Sequence, residues 1–187
     1  MVKLFLVKSL PGFDNWGLEK MIDFNDVKVL ASDVDGTFYS PEGIRKGVHW
    51  LYNAISSASP CMASFLRECL PRASIPLHYF VVTDGYESVA FRKLRELGAL
   101  PHIDGLICYD QFKRAKDVEY FLELMNRTEL PAQSHVAVGD NLRTDILPAK
   151  SLGMQTIKIG SNPTGTEDLW VPQFHGLERY FELAKVV

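Results

Sequence analysis

Apolar positions in this chain follow two rhythms. Short unbroken runs rich in β-branched residues fall at 27–32, 79–83, 105–109, 135–139 and 156–159. Runs of that length suit strands covered on both faces, as in a parallel sheet flanked by helices. Between them the spacing turns helical. Val89, Ala90, Leu94 and Leu97 fall on one side of a helix, with Gly98 after it as a C-cap, and residues 118–125 and 177–187 repeat the pattern. Strands alternating with helices predict an α/β fold of three layers, doubly wound around a mainly parallel sheet of about five strands. The core domain is expected over residues 27–187. Residues 1–26 form an N-terminal extension to which the pattern assigns no role, although apolar residues 4–7 could add an edge strand.

Composition narrows the classes. With 187 residues, 47% hydrophobic and 23% charged, the expectation is one domain with a sizeable core. Lys and Arg number 20 against 23 Asp and Glu, a net charge of −3, which argues against nucleic acid or a membrane surface as a stable partner. No apolar run approaches the roughly 18 residues of a membrane span, and residues 4–7 are too few for a signal-peptide core. Cys61, Cys69 and Cys108 lack disulfide or zinc spacing and read as reduced, packed thiols of a cytoplasmic protein. His49, His78, His102, His135 and His175 are scattered, and each reads as a surface or strand-edge residue. Residues 160–165 carry the glycine spacing of a phosphate loop, but Thr166 stands where that loop needs lysine.

The informative polar residues sit where the strands end, the edge at which open α/β sheets bind ligands. The first strand runs into Asp33-Val34-Asp35-Gly36-Thr37, the second into Thr83-Asp84-Gly85, and the fourth into Gly139-Asp140-Asn141. A segment bearing Lys113 and Lys116 follows the third. Carboxylates gathered this closely raise one another's pKa unless a cation neutralises them. An all-oxygen donor set favours a hard ion, and Mg²⁺ beside a phosphate fits best. Asp33 would then attack phosphorus. Asp35 would protonate the leaving oxygen and later activate water. Thr83, the backbone N–H groups after it and a lysine would hold the phosphoryl oxygens.

These blocks, in this order, resemble the four motifs of the haloacid dehalogenase-like (HAD) superfamily, in its small phosphatase type with a minimal cap or none. The resemblance implies Asp33 as nucleophile and Asp35 as acid and base, with Mg²⁺ held by Asp33, the Asp35 carbonyl and Asp140. It places Thr83, Asp84 and Lys116 at the substrate phosphate, and Thr37 and Asp145 behind them, Asp145 supporting the lysine or a metal-bound water. Lys116, 23 residues before Gly139 and leading a helical pattern, is chosen over Lys113, although Asp117 replaces the usual proline after it. Asp35 points to phosphate rather than carbon–halogen chemistry. The expected activity is Mg²⁺-dependent hydrolysis of a phosphate monoester through an aspartyl-phosphate, the alternatives being a phosphotransferase or mutase, or a non-catalytic phosphate-binding module. A receiver domain fits less well, because its phosphorylated aspartate lies apart from its acidic pair. The intervals between motifs leave room for little more than a helical hairpin at 60–71, so the site is expected to be open to a small or larger phosphorylated molecule, with a homo-oligomer or residues 1–26 as possible cover.

Overall fold

The computed structural model describes residues 22, 26–35, 37, 77–96 and 98–172. Among them are six strands, β1 (Val29–Ser32), β2 (His78–Val82), β3 (Gly105–Ile107), β4 (His135–Gly139), β5 (Gln155–Ile159) and β6 (Leu169–Val171). All pair in parallel, in the order β3-β2-β1-β4-β5-β6. Four α-helices accompany them: α1 (Glu87–Glu96), α2 (Tyr109–Phe112), α3 (Val118–Thr128) and α4 (Leu147–Ser151). The strand order reverses between β1 and β4, which opens a crevice beyond their carboxyl ends.

Alternation along each strand feeds two separate cores. Leu30, Tyr79, Val81, Val136, Val138 and Ile157 pack on one face with Ala90 and Leu94 of α1. Val29, Ala31, Phe80, Val82, Ile107 and Ala137 pack on the other with Tyr120, Phe121 and Leu124 of α3 and Ala149 of α4. Helices on both faces leave no strand side for water, so the central strands read as unbroken apolar runs. Fully burying one such leucine or valine contributes roughly 1.5–3 kcal/mol. Asp117 explains the missing proline ahead of α3, since its side chain caps the helix by accepting from the Glu119 N–H at 3.0 Å.

The sheet has one strand more than the apolar runs suggest. β6 is only three residues long and is held by polar contacts. Asp168 accepts from the Thr156 N–H at 3.0 Å and its hydroxyl at 2.9 Å while pairing with Lys150 at 2.8 Å, and Trp170 Nε1 donates to the Gly160 carbonyl at 2.8 Å. The glycine-spaced loop before it carries its own anion. Glu167 accepts from the Thr164 N–H at 2.8 Å and the Thr166 N–H at 3.1 Å, so those donors are spent within the loop.

His135 departs from the surface role expected of it: it is fully buried at the start of β4. Its Nδ1 lies 2.9 Å from the Pro131 carbonyl and its Nε2 2.8 Å from the Thr128 hydroxyl. His78 is exposed beside Asp104, as expected. Cys108 is buried as a free thiol. Helix 177–187, the hairpin at 60–71, residues 4–7, and Cys61, Cys69, His49 and His175 lie outside the described residues. No helix among the described residues is long and apolar enough to cross a membrane.

Burial lowers the His135 pKa below its ordinary 6.5. The unfolded chain therefore binds a proton more readily than the fold does, and stability from neutral His135 is present above pH 6.5 and lost as pH falls through the lowered value. The urea midpoint of wild type should exceed that of His135→Gln by more at about pH 7.5 than at about pH 5.

Candidate active site

Three strand tips build the site. Asp33 follows β1 directly, and its N–H extends the sheet by donating to the Val138 carbonyl of β4 at 2.9 Å. Thr83 follows β2 and donates its N–H to the Ile107 carbonyl at 2.9 Å. Asp140 follows β4. Five residues further on, Asp145 returns to the same edge on a π-helical turn, Leu142–Ile146, a wide turn often found at functional sites. The Asn141 side chain caps that turn at the Arg143 N–H, and the Asn141 N–H donates to Asp145 Oδ2, both at 2.9 Å. Gly139 is obligatory for this return. A Cβ there would lie 2.2–2.4 Å from the Asp145 carboxyl oxygen, Cγ and Cβ.

Lys116 occupies the centre. Its Nζ lies 2.7 Å from Asp33 Oδ1, 2.5 Å from Asp145 Oδ1 and 3.1 Å from the Val82 carbonyl, and the residue is only 4% exposed. Burial opposes its charge, but Asp33 and Asp145 outweigh burial and push its pKa above the ordinary lysine value. Lys113 is elsewhere, in the left-handed conformation at the end of α2, its exposed side chain paired with Asp110 at 3.3 Å. Asp84 is exposed and accepts from the Lys116 N–H, so its carboxylate braces the lysine's loop. Thr83 is buried, its Oγ1 accepts from the Gly85 N–H at 3.1 Å, and its hydroxyl proton is left for a further acceptor.

Asp33, Asp140 and Asp145 each present an oxygen within 4.8 Å of the others. Three carboxylates against one ammonium leave an excess of two negative charges. Burial, with Asp145 adding to it, pushes the Asp33 pKa up to about 7 despite Lys116. Burial and Asp145 likewise raise Asp140. An all-oxygen set with that excess suits a hard divalent cation, which would restore the ionised forms. The Asp35 carboxylate stands outside this cluster, where its Oδ1 pairs with Lys93 of α1 at 2.5 Å. Thr37 is buried, and among the described residues its hydroxyl has no hydrogen-bond partner.

Two site cations escaped the sequence reading. Lys93 lies on the buried face of α1, and Lys158 is the last residue but one of β5, opposite Gly139, buried, with Nζ donating to the Asn162 carbonyl at 3.1 Å. The available signal was a lysine inside an apolar stripe or run, where burial demands a partner. Tyr86 is exposed at the rim and meets the Tyr109 ring edge-on at 5.0 Å. Tyr39, Trp50 and Tyr52 lie outside the described residues.

Comparison with known proteins agrees with this fold. The family described as haloacid dehalogenase-like hydrolase matches residues 67–159, a stretch that starts after the Asp33–Asp35 pair. A glyceraldehyde 3-phosphate phosphatase of Methanocaldococcus jannaschii is 31% identical over 122 residues, 65% of this chain and 54% of that protein, so the match spans about half of the relative's length. Among solved structures, a HAD phosphatase from Thermococcus onnurineus aligns with a TM-score of 0.61 at 18% identity, covering 82% of this chain and 97% of the other. An L-2-haloacid dehalogenase from Xanthobacter autotrophicus aligns at 0.66 with 11% identity, covering 86% and 100%. Likeness to both shows the fold alone, since the two differ in reaction.

The contact at Gly139 yields a test. Gly139→Ala should force Asp145 off the strand tip, lowering stability by about 1–3 kcal/mol and weakening whatever affinity the carboxylate cluster has for a divalent cation. Urea unfolding and calorimetric titration with MgCl₂ read the two effects.

Proposed function

Because the chain belongs to the haloacid dehalogenase-like superfamily, we propose that it hydrolyses phosphate monoesters with Asp33 as the nucleophile. The observation that carries this reading is the Asp33 carboxylate, fixed at the β1 tip by Lys116 and flanked by Asp140 and Asp145. An Asp33 oxygen attacks phosphorus as the bond to the leaving oxygen breaks, and Asp35 gives that oxygen its proton. Asp35 then takes a proton from water, whose oxygen bonds to phosphorus as the Asp33–phosphorus bond breaks and inorganic phosphate departs. Throughout, the Thr83 hydroxyl and the Asp84 N–H offer donors to the phosphoryl oxygens, and Lys116 adds its positive charge beside them. Lys116 keeps its proton, because two carboxylates hold it.

Asp33, Asp140 and the Asp35 carbonyl would hold Mg²⁺, with Asp145 close enough to join them or to orient a bound water. The ion supplies charge neutralisation and alignment of substrate with nucleophile. It also lets Asp33 ionise at neutral pH, where burial otherwise keeps part of it protonated.

Asp35 and the all-oxygen cluster favour phosphate over carbon–halogen substrates. The name of the archaeal relative makes a small phosphorylated metabolite the first class to test. Cytoplasmic location and assembly with a second copy belong to the same reading.

Asp33→Asn should lower turnover of para-nitrophenyl phosphate on the order of 10³-fold or more while the circular dichroism spectrum stays unchanged. Retained activity would remove Asp33 as nucleophile. EDTA should abolish wild-type turnover and added Mg²⁺ should restore it; rates indifferent to both would overturn the metal assignment. A panel opening with glyceraldehyde 3-phosphate and including sugar phosphates and nucleotides reads substrate choice, with phosphate release separating hydrolysis from transfer.

A further inference from the structure

Helix α1 carries a lysine where its packing calls for an apolar residue. Lys93 lies three positions after Ala90 and next to Leu94, both buried in the core on that face of the sheet. Its side chain is 7% exposed, yet its Nζ reaches Asp35 Oδ1 at 2.5 Å. The ammonium thus meets an acidic side chain that stands outside the Asp33, Asp140 and Asp145 cluster.

Stability is a poor explanation for such a pair. Desolvating a lysine costs several kcal/mol, and buried ion pairs are often matched or bettered by packed apolar side chains. Asp35 itself is only partly buried, which lowers the value of the pair further. Positioning is a better one. A carboxylate on a turn beyond a strand tip has free χ rotation, and acid–base catalysis needs one oxygen held where the proton moves. Fixing Oδ1 against a lysine anchored in a helix sets the plane of the carboxylate, and so the place of its second oxygen.

We propose that Lys93 is a positioning residue that fixes Asp35 for proton transfer to and from the reacting oxygens, an inference that rests on the phosphohydrolase reading above. Lys93 keeps its own proton in both halves of the reaction. The proton that moves is the one Asp35 delivers to the leaving oxygen, then the one it takes from water.

The leaving group distinguishes this role from a structural one. Para-nitrophenolate departs with little need of a proton, whereas an alkoxide requires one. Lys93→Met should lower kcat/KM, which reads the transfer to Asp33 before water is activated, by about 10- to 100-fold for an alkyl phosphate such as glycerol 2-phosphate and by less than about threefold for para-nitrophenyl phosphate. Lys93→Arg should recover much of the alkyl phosphate rate. In an Asp35→Asn background, Lys93→Met should cause no further loss with para-nitrophenyl phosphate. Equal losses of kcat/KM on both substrates, or losses that multiply with those of Asp35→Asn, would overturn the proposal while leaving the phosphohydrolase reading intact. Should Lys93→Met fail to fold, Lys93→Gln undergoes the same comparison. Wild type inactive on every phosphate ester with Mg²⁺ would overturn both.

Discussion

The Lys116 ammonium, clamped between Asp33 and Asp145, is the contact on which the rest of the site depends. It joins three parts of the chain that are distant in sequence: the β1 tip, the turn after β4, and the loop before α3. Removing Lys116 would leave the buried carboxylates uncompensated, at a cost of about 3–5 kcal/mol. Much around it serves to hold this ammonium still. Asp84 accepts from its backbone, Val82 accepts from its Nζ, and Asp117 starts the helix behind it.

The strand order explains why the charges gather at this point. β1 and β4 are neighbours where the strand order reverses, so Asp33 and Asp140 stand side by side at their carboxyl ends. The excess of negative charge there arises because one buried lysine anchors Asp33 and Asp145 while Asp140 joins them from the β4 tip. Asp35, held on the α1 side by Lys93, belongs to a separate ion pair. Two nearby acids thus sit in different electrostatic settings, the usual route by which carboxylates take different parts in one reaction.

Much of this was legible in the sequence, for identifiable reasons. The apolar runs gave five strands because both sheet faces are covered, and the acids at their ends could be assigned to one edge by topology alone. Lys116 could be preferred to Lys113 by its place before a helical pattern, and the structure puts only Lys116 among the carboxylates. β6 was not legible, because three residues held by Asp168 and Trp170 leave no run of apolar positions. His135 was misread because its burial depends on a turn and a helix end, Pro131 and Thr128, that only the fold brings to it. Lys93 escaped because a lysine in a helix is ordinarily solvated, and nothing local announces that its tip meets an aspartate far away along the chain. Asp84, grouped with the phosphate by its neighbours, turned out to spend its carboxylate on the lysine's backbone.

The π-helical turn at Leu142–Ile146 carries one last consequence. Such a turn is an α-helix with one residue inserted, and each residue of an α-helix advances the side chains by about 100°. The direction of the Asp145 carboxylate is therefore set by a residue count as much as by residue identity. Removing a single position between Asn141 and Asp145 would restore a regular helix and swing the acid away from Lys116, although every side chain of the carboxylate cluster remained in the chain. This segment is accordingly open to substitution at its outward positions and closed to changes of length.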